Sequence, residues 1–246
     1  MNIKILYEDN NVLVVDKPAG IVVFPEKPTR SDLVDKTLIY YLIEKYPKLV
    51  DVGRPPRYGI VHRLDKDTSG ILLVAKNNET LIFFQNQFKN RGVEKKYIAL
   101  VTGTIKEEKR VIETLIGRSP SDPRKQKAYL LQGLTPQYLQ NTPQNKRLAI
   151  TEYKVLRRFE KYTLLEVKIK TGRKHQIRCH LAYIHHPIAG DKMYGFKDSP
   201  LPEGLNRQFL HASYTKIQLP AGRTKEFSSE LPEELSIILE RLKIKD

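Results

Sequence analysis

Five consecutive apolar residues, Ile71-Leu72-Leu73-Val74-Ala75, follow directly on the polar run His62-Arg63-Leu64-Asp65-Lys66-Asp67-Thr68-Ser69-Gly70. A short, uninterrupted apolar run bounded by turn residues suits a strand covered on both faces rather than one with a wet side. The chain must then provide material for two sides of a sheet, and the polar run becomes a turn anchored by a rigid strand. Asp, Lys, Thr, Ser and Gly are the ordinary residues of an exposed turn. The same turn also sets a carboxylate beside two potential cations on a loop held by a buried element, which is where catalytic groups usually sit.

Further strands are predicted at Val12 to Asp16, Lys95 to Val101, Val111 to Leu115, Glu152 to Phe159, Tyr162 to Ile169 and Phe209 to Leu219, with the buried run extending to Lys76. Only Glu160-Lys161 separates Glu152–Phe159 from Tyr162–Ile169, so these two form a hairpin, although that dipeptide matches the favoured two-residue turns poorly. Helices are predicted at Asp32 to Tyr46 with Ser31 as cap, at Glu79 to Asn90 after Asn78, from near Arg173, and from about Pro232. Their apolar stripes (Leu38, Tyr41, Leu42; Leu81, Phe84, Phe88; Ile177, Leu181, Ile184; Leu235, Ile238, Leu239, Leu242) suit packing on a sheet. Strands and helices do not alternate regularly, which favours an α+β fold over a doubly wound one. A single domain over residues 1–246 is expected. Within it, Ser119 to Arg147 reads as a polar insertion, either mobile or ordered by a partner.

The chain is basic, with a formal charge of +15, and the surplus is concentrated. Between residues 117 and 180, about a quarter of the chain, fifteen Lys and Arg face four acids. Solubilising charge is normally mixed in sign, so this points to a face that meets a polyanion, nucleic acid first and an anionic membrane surface second. No apolar run approaches the roughly 18 residues of a spanning helix, and Met1 to Lys17 lacks the order of a signal peptide. A soluble, cytoplasmic protein that does not engage membranes is expected. Cys179 is the only cysteine, which excludes an intramolecular disulfide and a thiolate zinc site and leaves a buried, inert thiol. His175, His180 and His185 are spaced by five and share no helix face, so no metal is expected.

Four further segments accompany the opening turn. Lys96-Tyr97-Ile98-Ala99 alternates, with Tyr97, Ala99 and Val101 on one face. Thr171-Gly172-Arg173-Lys174-His175-Gln176-Ile177-Arg178-Cys179-His180 follows a strand and opens a helix, presenting backbone N–H groups beside several cations, a natural phosphate site. The others are Asp16-Lys17-Pro18-Ala19-Gly20-Ile21-Val22-Val23 and Gly190-Asp191-Lys192-Met193-Tyr194-Gly195. Together, in this order, these segments and His62 to Lys76 resemble the motifs of the RluA family of RNA pseudouridine synthases, over roughly Val12 to Leu219.

The resemblance implies a pseudouridine synthase-like fold, a mixed and largely antiparallel sheet flanked by helices with a central RNA-binding cleft. It implies isomerisation of specific uridines in ribosomal or transfer RNA, with no redox step, group donor or cofactor. By motif match Asp65 is the catalytic carboxylate, either as covalent nucleophile or as support for charge and proton movement. Arg178 would pair with Asp65, keeping it ionised against desolvation and orienting it through a bidentate contact. Tyr97 would lie against the flipped base. Arg63 would reach into the RNA, Ile177 would wall the uracil pocket, and His62 would either shape the loop or meet RNA. Arg173, Lys174 and His175 would add RNA contacts. The first motif begins near Val12, so no N-terminal auxiliary RNA-binding domain is expected, and a monomer is assumed.

Two other functional classes compete. A noncatalytic RNA-binding or RNA-folding protein on the same scaffold would not need Asp65. A metal-dependent nuclease or phosphotransferase is disfavoured, since His-Arg-Leu-Asp is not the kinase order His-Arg-Asp and neither a Gly-rich phosphate loop nor an Asp-Phe-Gly segment is found.

Overall fold

The computed structural model describes residues 3–25, 37–131 and 146–244. Its contacts divide the chain into two compact units, residues 1–95 with 211–230, and residues 96–210 with 231–246.

In the first unit, β1 (Lys4–Glu8), β2 (Val12–Lys17) and β3 (Ser69–Ala75) form antiparallel pairs in sequence, and β3 then pairs in parallel with β9 (Leu210–Gln218), whose other partner is the antiparallel β10 (Thr224–Ser228). Val12–Val15 and Ile71–Ala75 are wholly buried. This is the two-sided burial that the continuous apolar run predicts. The helices α1 (Leu38–Lys45) and α2 (Asn78–Lys89) belong to this unit. The cap of α2 is Asn77, one residue earlier than expected, and its side chain accepts the Thr80 N–H at 2.9 Å. Asn78 is engaged elsewhere: its amide accepts the Gly53 N–H and donates to the Asp51 carbonyl. The predicted start of α1, with Ser31 as cap, lies outside the described residues.

The second unit is built on an antiparallel sheet whose strand order departs from chain order. The strands β4 (Glu94–Thr102), β5 (Lys109–Arg118), β6 (Gln126–Tyr129), β7 (Lys146–Arg158) and β8 (Tyr162–Ile169) pair in the order β4-β8-β7-β5-β6. The β7–β8 hairpin turns at Glu160-Lys161 as expected. However, β7 begins six residues before the predicted Glu152, because its first half is zipped to β5, from Gly117↔Lys146 to Lys109↔Lys154. Of the polar span from Ser119 to Arg147, Gln126–Tyr129 is strand β6 and the last two residues begin β7, while 132–145 lie outside the described residues. The helix α3 (Gln176–Tyr183) packs on β6 and β7 over a small core of Ile116, Ala128, Ala149, Cys179 and Tyr194. Cys179 is buried there, and desolvation pushes its thiol up to about 12, which leaves it inert. The closing helix α4 spans Glu233–Arg241, with Leu235 and Ile238 inward. Both units are α+β, as predicted. No described helix is long and apolar enough to cross a membrane.

Candidate active site

Asp65 opens a tight turn in the first unit, its carbonyl accepting the Thr68 N–H at 3.1 Å. The side chain is half-buried, between exposed Lys66 and buried Leu64. The turn is fixed from below by Lys17, which is wholly buried at the end of β2. Its ammonium donates to the carbonyls of Pro18 (2.7 Å), Ile21 (2.9 Å) and Lys66 (3.0 Å), and the Gly20 N–H reaches the same Lys66 carbonyl at 2.9 Å. All three ammonium donors are thus spent on two loops, one of them adjoining Asp65. On the far side the turn runs into β3, where Gly70 sits at φ +115° against Ala212 of β9. A Cβ there would collide with the Ala212 carbonyl, so the close parallel crossing requires glycine.

The neighbours of Asp65 are sorted by the same geometry. The Nε2 atom of His62 accepts the Leu73 N–H at 3.0 Å, and its ring stacks on Phe88 with centroids 5.0 Å apart. Burial, with the nearby Lys95 charge, pushes His62 down to about 3, so the ring is neutral and serves β3 as a hydrogen-bond acceptor. Arg63 is exposed, with its guanidinium 5.3 Å from the Phe24 ring centroid.

The second unit carries the remaining candidates. Tyr97 lies on β4 opposite Val167 and is buried. Ile177, Arg178 and the adjoining turns of α3 are buried as well, whereas Lys174 is exposed. The helix starts three residues later than the predicted Arg173, because His175 takes a left-handed conformation at φ 53°. Gln176 explains this kink. Its Oε1 accepts from Thr171 Oγ1 and the Arg173 N–H, while its Nε2 donates to the Ile150 carbonyl and Thr151 Oγ1, all between 2.7 and 3.0 Å. The Arg173 amide is therefore taken by Gln176, and the Arg173 Nε donates to the Leu148 carbonyl at 3.0 Å, which removes two donors from the supposed phosphate site. His175 Nδ1 meets the Tyr194 hydroxyl at 3.0 Å.

Arg178 forms a bidentate ion pair that the sequence reading missed. Its Nε and Nη2 donate to the two carboxylate oxygens of Asp191 at 2.7 and 2.9 Å, and the guanidinium lies 5.1 Å from the Tyr194 ring centroid. Asp191 also accepts the Met193 and Tyr194 N–H groups. Burial alone would raise its pKa, but the guanidinium and the two amides hold it below the usual carboxylate range. The basic surplus is likewise partly neutralised: Lys170 pairs with Glu152, Lys96 with Glu166 and Arg158 with Glu108. Among the described residues, no group of three or more His, Cys, Asp or Glu side chains is arranged to hold a metal ion.

Lys17, Gln176, Asp191 and Tyr194 all stand inside the motifs, yet nothing in their sequence context marks their roles. A cation at the end of an apolar strand, or an acid after Gly190, looks like surface until the three-dimensional partners are known.

A sequence profile described as RNA pseudouridylate synthase matches residues 11–183. An uncharacterized RNA pseudouridine synthase of Aquifex aeolicus is 43% identical over 205 residues, covering 82% of this chain and 59% of that protein. The ribosomal large subunit pseudouridine synthase D of Nitrosomonas europaea is 39% identical over 248 residues, covering 98% and 65%. The chain thus spans about three fifths to two thirds of the length of these two relatives. Among solved structures, human RNA pseudouridylate synthase domain containing 4 superimposes with a TM-score of 0.73 at 24% identity, over 98% of this chain and 94% of that one. Its likeness is one of fold.

Proposed function

The chain belongs to the RNA pseudouridylate synthase family, and on that premise we propose that it isomerises specific uridines of ribosomal RNA to pseudouridine, with Asp65 as the catalytic carboxylate. The observation that carries this reading is the fixed Asp65 turn: a half-buried carboxylate on a loop tied down by the buried Lys17 ammonium and by the close β3–β9 crossing. Such preorganisation suits a group that must meet a reacting nucleotide in one geometry.

In the reaction the N1–C1′ bond breaks, the uracil turns, C5 bonds to C1′, and the C5 proton is lost while N1 gains one. Atoms and electrons balance without a donor. The ionised Asp65 supplies either the nucleophile or the negative charge that supports these steps. For Arg178, whose Nε and Nη2 hold Asp191, the role proposed is the one the resemblance assigns, to orient the catalytic carboxylate. Tyr97 lies against the extruded base, Ile177 closes its apolar side, and Arg63 holds the nucleotide out of its stack at a cost of a few kcal/mol. Ribosomal RNA is favoured because several relatives carry the name ribosomal large subunit pseudouridine synthase D. The protein acts as a soluble cytoplasmic monomer.

The test is Asp65→Asn assayed with RNA from cells lacking the protein, by release of tritium from 5-tritiated uridine. The expected result is a loss on the order of 10³-fold or more, with RNA affinity kept. Turnover equal to wild type would remove Asp65 from the chemistry.

A further inference from the structure

In the second unit, an open cavity of about 480 Å³ is lined by Gly103, Lys161, His185, His186, Phe196 and Ser199. Nothing in the proposed chemistry uses it. Its size falls within the range of small-ligand pockets, and its parts are rigidly held. His186 Nδ1 donates to the Thr102 carbonyl at 2.9 Å, and the ring packs on Gly103, where a Cβ would sit 3.2 Å from it. The Gly103 N–H in turn donates to the Lys161 carbonyl at 2.8 Å. Phe196 is closed into a turn from both sides, its N–H donating to Ser199 Oγ and its carbonyl accepting the Ser199 N–H. The residue is nonetheless 48% exposed, its ring 6.3 Å from that of His185 and tilted 46° to it.

A single exposed apolar side chain is commonplace. Here an exposed ring, a second aromatic and a cation share one concavity, which is the composition of a single-strand nucleic-acid subsite: a π-face for the base and a positive charge for its phosphate. Exposed Lys161 lines the cavity and exposed Lys192 and Lys197 stand near Phe196 in the chain, against Asp198 in the lining and exposed Glu160 beside Lys161, so the surroundings are basic by one charge.

We propose that this cavity is a second nucleotide subsite, which takes an unpaired base of the substrate RNA outside the target uridine, stacked on Phe196 beside His185 with its phosphate at Lys161. The inference rests on the RNA reading above and adds where a flanking nucleotide is held.

The chain contains no tryptophan, so Phe196→Trp introduces a single emitting ring at the site. Oligouridylate should quench its fluorescence, and an abasic strand of equal length should not. Phe196→Ala should weaken binding of the RNA substrate roughly five- to a hundredfold while leaving the single-turnover rate at saturating RNA unchanged. Equal quenching by both strands, or wild-type affinity in Phe196→Ala, would overturn the proposal. So would self-association of the wild type that Phe196→Ala abolishes, since the face would then be a protein contact. Quenching by oligouridylate in a protein whose wild type makes no pseudouridine would sink the catalytic reading and keep the subsite; turnover with no quenching would do the reverse.

Discussion

Arg178 presents Nε and Nη2 to the two carboxylate oxygens of Asp191. The pair is almost sealed from water, with side chains 9% and 0% exposed. Removing one member of such a pair strands the other without solvent, so Asp191→Ala should cost about 3–5 kcal/mol, measured by urea unfolding. Asp191→Asn, which keeps acceptors for the Met193 and Tyr194 amides, should cost less. Asp65, Tyr97 and Arg178 stand out in the sequence as candidates because each lies in a motif whose neighbours and order match a known family. Asp191 lies in such a motif too, but its partner cannot be read there. A sequence shows that an arginine needs an acceptor, and says little about which of several carboxylates the folded chain will offer.

The strands divide by how their burial signals itself. The strand β3 was plain because all seven of its residues are buried, and β8 because its alternation is clean. The edge strand β6 buries only Ala128, and β10 only Phe227, so neither produces a run that a hydrophobic pattern can detect. Helix starts were misplaced where a side chain overrides propensity, as Gln176 does by fixing His175 in a left-handed turn. The junction between the Asp65 turn and β3 tolerates no side chain. Gly70→Ala meets both a positive φ and the Ala212 carbonyl, and should destabilise the protein by on the order of 3 kcal/mol. A shifted urea midpoint with an unchanged slope would show that the effect is on stability alone.

At the scale of the whole molecule, two neutral histidines set the acid limit. His180 is wholly buried, bonded through both ring nitrogens to Thr114 and Thr151, and desolvation pushes it down to about 4, while His62 is pushed down to about 3. Both folded values lie below the roughly 6.5 of an unfolded histidine. The stability these rings contribute is therefore complete above pH 6.5 and drains away as pH falls towards 4 and then 3. At pH 5 the loss should be about 2 kcal/mol for each ring. A thermal midpoint that does not move between pH 7.5 and pH 5 would show that neither ring is held neutral. The pairing of Gly70 with Ala212 also has a temporal side. The strand that completes the first unit leaves the ribosome only after the whole run from 96 to 210 has been made. At about 5–20 residues per second, that places roughly seven to thirty seconds between synthesis of the Asp65 loop and arrival of its last neighbour. A nascent chain therefore carries its carboxylate long before it has a finished scaffold, and a stalled or truncated translation product should be born without activity.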